Sequence, residues 1–224
     1  MENIIVIGSS GHAKIVINAI ESINKKQGLY KIVCLIDDFR QVGECTWEHR
    51  ILGKTEDLPK LIDEYLAPNV AIAIGDNFGR MTVADRIKKL CSTVHFPCII
   101  HPNSVLDRNV KIGEGSFIGA QVHVAADSTI GKFCNLMATQ NIGHDSILGD
   151  FCSVAPGTAI GGNVRIGLAS VVSLGVTINE KLNIGEHTII GAGSTVVRDI
   201  SSFVVAYGSP AKTIRTRKPE DSYM

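Results

Sequence analysis

Residues 136–172 read LMATQNIGHDSILGDFCSVAPGTAIGGNVRIGLASVV. Leu136, Ile142, Leu148, Val154, Ile160, Ile166 and Val172 stand at every sixth position, and the series runs without a miss from Ile100 to Val196. The next residue is often glycine, as at Gly113, Gly143, Gly161 and Gly185. Four positions after each aliphatic comes a mostly small residue, as at Ser116, Ser128, Cys134, Ser146, Cys152 and Ser170. A helix would repeat near 3.6 residues and a simple strand at 2, so neither accounts for a strict period of six. A hexapeptide repeat marks a parallel β-helix, in which each short strand is one flat side of a coil. Three sides per coil predict about five coils, each about 4.8 Å above the last.

Beyond Val196 the period is lost and the chain becomes polar, which predicts a segment that caps or trails from the open end of the solenoid. Upstream of about residue 95 the chain reads as an α/β unit. Ile4 to Gly8, Lys31 to Asp38 and Ala71 to Gly75 read as strands. Ala13 to Ile23, Glu56 to Leu66 and Gly79 to Cys91 read as helices. Alternating strands and helices with short links predict a parallel, Rossmann-like sheet covered by helices. Pro97 and Pro102 bracket the junction. The expected division is therefore an α/β domain over residues 1–97 and a β-helix domain with a carboxyl-terminal cap over 98–224.

With 22 Lys and Arg against 22 Asp and Glu, the chain has no basic excess to suggest nucleic acid. No stretch approaches the length of a membrane span. MENIIVIGSSG reads as a first strand rather than a signal peptide. Six cysteines without a CxxC pairing read as free thiols, packed as small hydrophobes in a reducing compartment. The expectation is a cytoplasmic protein that inserts in no membrane.

Candidate chemistry falls in two places. His144 stands two positions after Ile142, at a hexad position otherwise held by Arg108, Glu114, Lys132, Asp150 and Glu180, which marks it as facing solvent. Residues 18 apart stack, so His144 lies between Ala126 and Gly162, small neighbours that leave room for a ligand; a surface histidine without function is the plainer alternative. Asp145 follows it and could orient the ring, in a direction that spacing does not fix. His101, His123, His144 and His187 occupy four different hexad positions, so the convergence that a three-histidine zinc site needs is lacking and no metal is expected.

The second place is GSSGHAK, residues 8–14, which follows a strand and opens a helix. Gly8, Ser9, Ser10, Gly11 and His12 make a turn at a helix N-terminus, where a phosphate is favoured. The segment is not the GxGxxG fingerprint. Asp37 and Asp38 close the second strand, where an acid can accept a ribose hydroxyl. Gly75, Asp76 and Asn77 close the third on the same carboxyl edge. A nucleotide site and a turn that only joins strand to helix both remain open.

IIVIGSSGHAK, the LIDD strand end, AIAIGDN, the unbroken hexads with NIGHDSILGDFCSVAPG and the ending YGSPAKTIR together resemble the hexapeptide acyltransferases of the sialic acid O-acetyltransferase family. Within it they are similar to N-acetyltransferases of nucleotide-linked 4-amino sugars of the bacillosamine and perosamine type. The resemblance implies a left-handed parallel β-helix, a homotrimer and acetyl-CoA bound in a groove between adjacent β-helices. It implies His144 as catalytic base with Asp145 as its acidic neighbour, and the N–H of Gly162 on the thioester carbonyl. Ala192, Gly208, Pro210, Ala211 and Lys212 would lie near the coenzyme. Gly8 to His12, Asp37, Asp38 and Gly75 to Asn77 would hold a nucleotide-sugar acceptor. Many relatives carry a second histidine where this chain has Ser153, which removes an imidazole from any two-histidine mechanism. The implied reaction is N-acetylation of a UDP- or dTDP-4-amino-4,6-dideoxyhexose. O-acetylation of a sialic acid-like sugar and non-catalytic sugar-nucleotide binding are the alternatives.

Overall fold

The computed structural model describes residues 1–221, so the last three residues of the expected 98–224 domain lie outside the described residues. Two compact units emerge. Met1–Gly75 and Gly79–Pro102 form the first, and Asp76–Phe78 with the chain from Asn103 onward form the second. The contact boundary thus falls at Pro102 rather than at 97/98. The segment Ile99–Ile100 packs on the first helix, and Lys26 Nζ donates to the Pro102 carbonyl at 3.2 Å.

The first unit contains β1 (Glu2–Ile7), α1 (Gly11–Gln27), β2 (Tyr30–Ile36), β3 (Cys45–Thr46), β4 (His49–Gly53), α2 (Leu58–Tyr65) and β5 (Asn69–Ile72), and most of α3 (Asn77–Leu90). The sheet order is β3-β4-β2-β1-β5, parallel except for the β3–β4 hairpin. Ile4, Ile5, Val6 and Ile7 are all buried, as a parallel strand covered on both faces requires. The expected strands and helices are present with ends shifted by a few residues. The hairpin is an addition: the two-residue β3 and the five-residue β4, HRILG, lack the apolar run that marks the other strands.

At the carboxyl edge of this sheet the turn after β1 passes through Gly8 at φ 105°, where an added Cβ would lie 2.7 Å from the Ala73 carbonyl oxygen. Only glycine meets both conditions. Across the edge Asp37 fixes the turn after β2. Its Oδ1 accepts the N–H groups of Phe39 and Arg40 at 2.9 and 3.0 Å, and its Oδ2 accepts the Ser9 hydroxyl at 2.5 Å. Burial acts to raise the carboxyl's pKa, but these donors outweigh it and hold the group below its ordinary value.

The second unit is a three-sided left-handed parallel β-helix. One face stacks strands from Val105–Leu106 to Thr195–Val196, a second from Lys111–Ile112 to Asn183–Ile184, and a third from Phe117–Ile118 to Ile189–Ile190. Partners differ by 18 residues throughout, as in His123 with Asn141. Each hexad position has its own physical task. The aliphatics from Ile118 to Val196 point inward and are at most 3 % exposed, whereas Leu106 in the first coil is 37 % exposed because no earlier coil covers it. The small residues close the turn hydrogen bonds. Ser170 Oγ donates to the Gly185 carbonyl at 2.6 Å and accepts the Thr188 N–H at 2.9 Å, and Ser128 does the same for Gly143 and Ser146. Cys134 and Cys152 donate their thiols to Gly149 and Gly167.

One residue per side, from Asn109 through Asp127, Asp145 and Asn163 to Gly193, adopts positive φ. Asn, Asp and Gly are suited to that left-handed turn. The glycine after the aliphatic meets a different demand: a Cβ on Gly143 would lie 2.4 Å from the Gly161 carbonyl carbon of the next coil.

The polar ending caps the solenoid by extending it. Val204–Gly208 pairs in parallel with Ile189–Ile190, and Ala211–Thr216 returns antiparallel to it. Arg217 is buried and donates to the carbonyls of His187, Pro219 and Asp221, which ties the tail down.

Two outcomes follow from these contacts. Ser170→Ala leaves the part-buried Gly185 carbonyl and the buried Thr188 N–H without their partner, and is expected to lower unfolding free energy by about 1–3 kcal/mol. A loss under about 0.5 kcal/mol in denaturant titration would show that the hydroxyl column is dispensable. Because the folded Asp37 pKa is depressed, its contribution is present above the unfolded carboxylate range (about pH 4) and is lost as pH falls through the folded value. Asp37→Asn is expected to flatten the dependence of stability on pH below about pH 5, and an unchanged slope would contradict the assignment.

Candidate functional site

The first candidate lies on the prism edge formed by the turns at 143–145, 161–163 and 179–181. His144 projects outward from this edge, its side chain 61 % exposed. Asp145 is the left-handed residue of the same turn, φ 57°, and this geometry swings its carboxylate back to His144, Nδ1 to Oδ2 at 2.7 Å. A carboxylate only accepts, so Nδ1 carries the hydrogen and Nε2 is left with its lone pair. One coil later Gly162 lies beneath the ring. A Cβ there would come 2.6 Å from His144 Nε2 and 2.8 Å from Cε1, so any side chain would displace the imidazole. The Gly162 carbonyl accepts the Lys181 N–H at 2.9 Å, while its own N–H meets no acceptor among the described residues. An exposed imidazole, the carboxylate that orients it and an unused backbone donor thus share one edge.

Ser153, at the position of the second family histidine, lies elsewhere. It is buried and donates its hydroxyl to Asn77 Oδ1, while Asn77 Nδ2 donates to the carbonyls of Ala169 and Ser170. Ser153 is thereby a packing residue. Asn77, expected on the nucleotide edge, is likewise committed to internal hydrogen bonds with the β-helix unit. Its side-chain amide satisfies two turn carbonyls.

The residues expected near a coenzyme gather on a different edge. Ala192 occupies the corner between Ile189–Ile190 and Thr195–Val196, and is exposed. The Gly208–Ala211 turn is bolted beside it, by Gly208 N–H to Ser194 Oγ at 3.1 Å and Ser209 Oγ to Thr195 Oγ1 at 3.1 Å. Pro210 and Lys212 are exposed, and Ala211 is buried. No single chain brings this edge to His144.

The second candidate is the carboxyl edge of the first unit. A cavity of about 340 Å³ is lined by Ser9, Ser10, Gly11, Lys14, Arg40, Cys45, Thr46 and Trp47. The α1 N-cap, Ser10, makes no side-chain cap hydrogen bond, and the first turn carries no acid, so the helix end keeps its affinity for an anion. Asp37 borders the site through Ser9. Asp38 is engaged, its Oδ1 accepting the Thr55 N–H and its Oδ2 the Thr55 hydroxyl and Arg86 Nη1. That departs from a free ribose acceptor, because the carboxylate instead anchors the segment after β4. Gly75 gives its carbonyl to the fully buried Arg80, at 2.8 Å from Nη1. His12 lies against Gly75 without lining the cavity. Asp76 groups with the β-helix unit. Lys14 closes the GSSGHAK segment, whereas Arg40, Cys45, Thr46 and Trp47 were not expected here and are supplied by the unforeseen hairpin and its lead-in.

Among the described residues one grouping of side chains is close enough to hold a metal ion, Glu21, Glu48 and His49. None of the histidines weighed for zinc belongs to it. No helix among the described residues is long and apolar enough to cross a membrane.

Residues 3–87 match the family model of the PglD N-terminal domain. UDP-N-acetylbacillosamine N-acetyltransferase of Bacillus subtilis (strain 168) is 30 % identical over 121 residues, covering 54 % of this chain and 52 % of the relative, so the match spans about half the length of that enzyme. The structure of PerB from Caulobacter crescentus in complex with CoA and GDP-perosamine is 29 % identical and superposes with a TM-score of 0.87, over 96 % of this chain and 98 % of that one. The acetyltransferase domain of PglB from Neisseria gonorrhoeae FA1090, in complex with acetyl coenzyme A, is 26 % identical with a TM-score of 0.81, over 95 % and 99 %. The first unit thus matches the PglD N-terminal domain over residues 3–87, and the chain as a whole resembles the bacillosamine- and perosamine-type N-acetyltransferases.

Proposed function

We propose that this protein transfers an acetyl group from acetyl-CoA to the amine of a nucleotide-linked amino sugar, with His144 as general base. The observation that carries the reading is the edge on which Asp145 fixes the His144 tautomer and Gly162 leaves space beneath Nε2. The likeness to relatives solved with CoA and GDP-perosamine supports both substrates. A UDP- or dTDP-linked 4-amino-4,6-dideoxyhexose fits the same chemistry.

His144 Nε2 takes the amine proton as nitrogen bonds to the acetyl carbon, an acid–base step that an imidazole lone pair can perform. The free Gly162 N–H can donate to the carbonyl oxygen as it gains charge. When the carbon–sulfur bond breaks, the imidazolium returns its proton to the departing thiolate. The products are the amide and the free CoA thiol, with no acyl-enzyme.

The two edges of the prism bear on assembly. His144 and Gly162 lie on one, and Ala192 with Gly208–Lys212 on another, so a coenzyme that touches both must lie between copies of the chain. A cyclic trimer of smooth prisms supplies that groove.

His144→Ala is expected to lower kcat about 10²- to 10⁴-fold on an acceptor chosen from a panel of nucleotide-linked amino sugars and sialic acids. The side chain packs nothing in the core, so Tm should hold, and sedimentation of both proteins should give a trimer of 24.0 kDa chains. Activity within about threefold of wild type would remove the base, and a monomer would remove the shared groove. Acetylation of a sialic acid alone would move the reaction to oxygen.

A further inference from the structure

The cavity of the first unit has an aromatic wall that neither the fold nor the proposed chemistry has used. Trp47 is the chain's one tryptophan and is 50 % exposed. It sits at the tip of the β3–β4 hairpin at φ 53°, a backbone state that glycine or asparagine usually occupies and a bulky residue rarely does. Half of a large apolar ring is left in water at a turn where smaller residues would serve.

The hairpin is held firmly in place. Thr46, buried beside the tryptophan, donates its hydroxyl to the Ser9 carbonyl at 2.6 Å and accepts Arg40 Nη1 at 2.9 Å. Arg40 also reaches the Cys45 carbonyl and forms a salt bridge with Glu44. These contacts cross 37 residues of sequence to fix the indole beside the turn after β1. Gly11 and Lys14 line the same cavity. An added Cβ on Gly11 would meet nothing within 4 Å, so the protein's own packing does not require glycine there, and the space above it is open. The cavity therefore combines cations, a helix end and a large aromatic ring in one lining.

We infer that Trp47 is the platform on which the base of the nucleotide stacks, with the phosphates turned toward Gly11 and Lys14. The inference rests on the nucleotide-linked acceptor of the proposed function and adds the residue that grips the base. Stacking uses the π-face that every base presents, so Trp47 supplies affinity for a purine or a pyrimidine nucleoside diphosphate and leaves the choice between bases to other contacts. Each stacked base is worth about 1–3 kcal/mol, roughly a 5- to 150-fold change in affinity.

Because the chain has a single tryptophan, its emission reports this site alone. The full-length protein is titrated with UDP, dTDP and GDP, and separately with inorganic pyrophosphate, following emission and calorimetric heat together. A nucleoside diphosphate is expected to change Trp47 emission saturably, and pyrophosphate to leave it unaltered. Trp47→Ala is expected to weaken nucleotide binding about 5- to 150-fold, with Trp47→Phe recovering most of it and the acetyl-CoA KM unchanged in both. Calorimetric binding of a nucleotide with emission unaltered and equal affinity in Trp47→Ala would overturn the platform while leaving the nucleotide-linked acceptor in place. An identical emission change with pyrophosphate would likewise overturn it. Failure of every nucleoside diphosphate to bind would bring down the acceptor reading and the platform together.

Discussion

Everything in the second unit depends on one ladder: the backbone N–H groups of each coil bond to the carbonyls of the next, 18 residues away in register. An extra residue within a side, unless looped out at a corner, would shift the register and turn the following inward aliphatics outward. It also brings consecutive coils so close at the corners that a Cβ on Gly143 or Gly161 would overlap the next turn. The hexad follows from this constraint. An aliphatic fills the interior, a glycine passes the corner, a left-handed residue turns the chain, and a hydroxyl or thiol closes the turn's hydrogen bonds.

The same constraint makes the edge a rigid place to hold chemistry. His144 stands on a turn whose backbone is bonded above and below, by Asp145 N–H to the Ala126 carbonyl and by Asn163 N–H to the His144 carbonyl. The imidazole itself packs against little and is oriented by one acid. Asp145 can do so because it takes the left-handed position, which sends its side chain back across the turn. Stability and orientation are thus separated: the ladder carries the first and a single hydrogen bond the second. The α/β unit works differently. Its carboxyl edge is drawn together by long-range side-chain contacts, Ser9 with Asp37 and Thr46 with the Ser9 carbonyl, rather than by a repeating backbone pattern.

That difference explains what could be read from sequence. Period and stacking are linear in residue number, so the prism, the outward histidine and its small neighbour Gly162 were legible from spacing. The direction of Asp145 was not, because it depends on a φ angle. In the first unit the strands and helices were legible from apolar patterning, but the β3–β4 hairpin was not, since neither the two-residue β3 nor the five-residue β4, HRILG, carries a run of apolar residues. With it went Arg40, Thr46 and Trp47. The roles of Asp38, Asn77 and Ser153 depend on which distant groups fold against them. The structure commits all three to internal hydrogen bonds.

The central claim is that the reaction requires the bare backbone of Gly162 beneath the His144 ring. Gly162→Ala adds one methyl on an exposed corner, where it would meet the imidazole at 2.6 Å while leaving the ladder and the apolar core untouched. The decisive measurement is kcat/KM for acetyl transfer by this variant to the proposed amino-sugar acceptor. Displacing a catalytic group by about 1 Å costs on the order of 100-fold, so the account predicts a loss of at least about that size in a protein that still folds and assembles as wild type. A variant that keeps kcat/KM within about threefold of wild type would show that the space under His144 is not where the chemistry occurs.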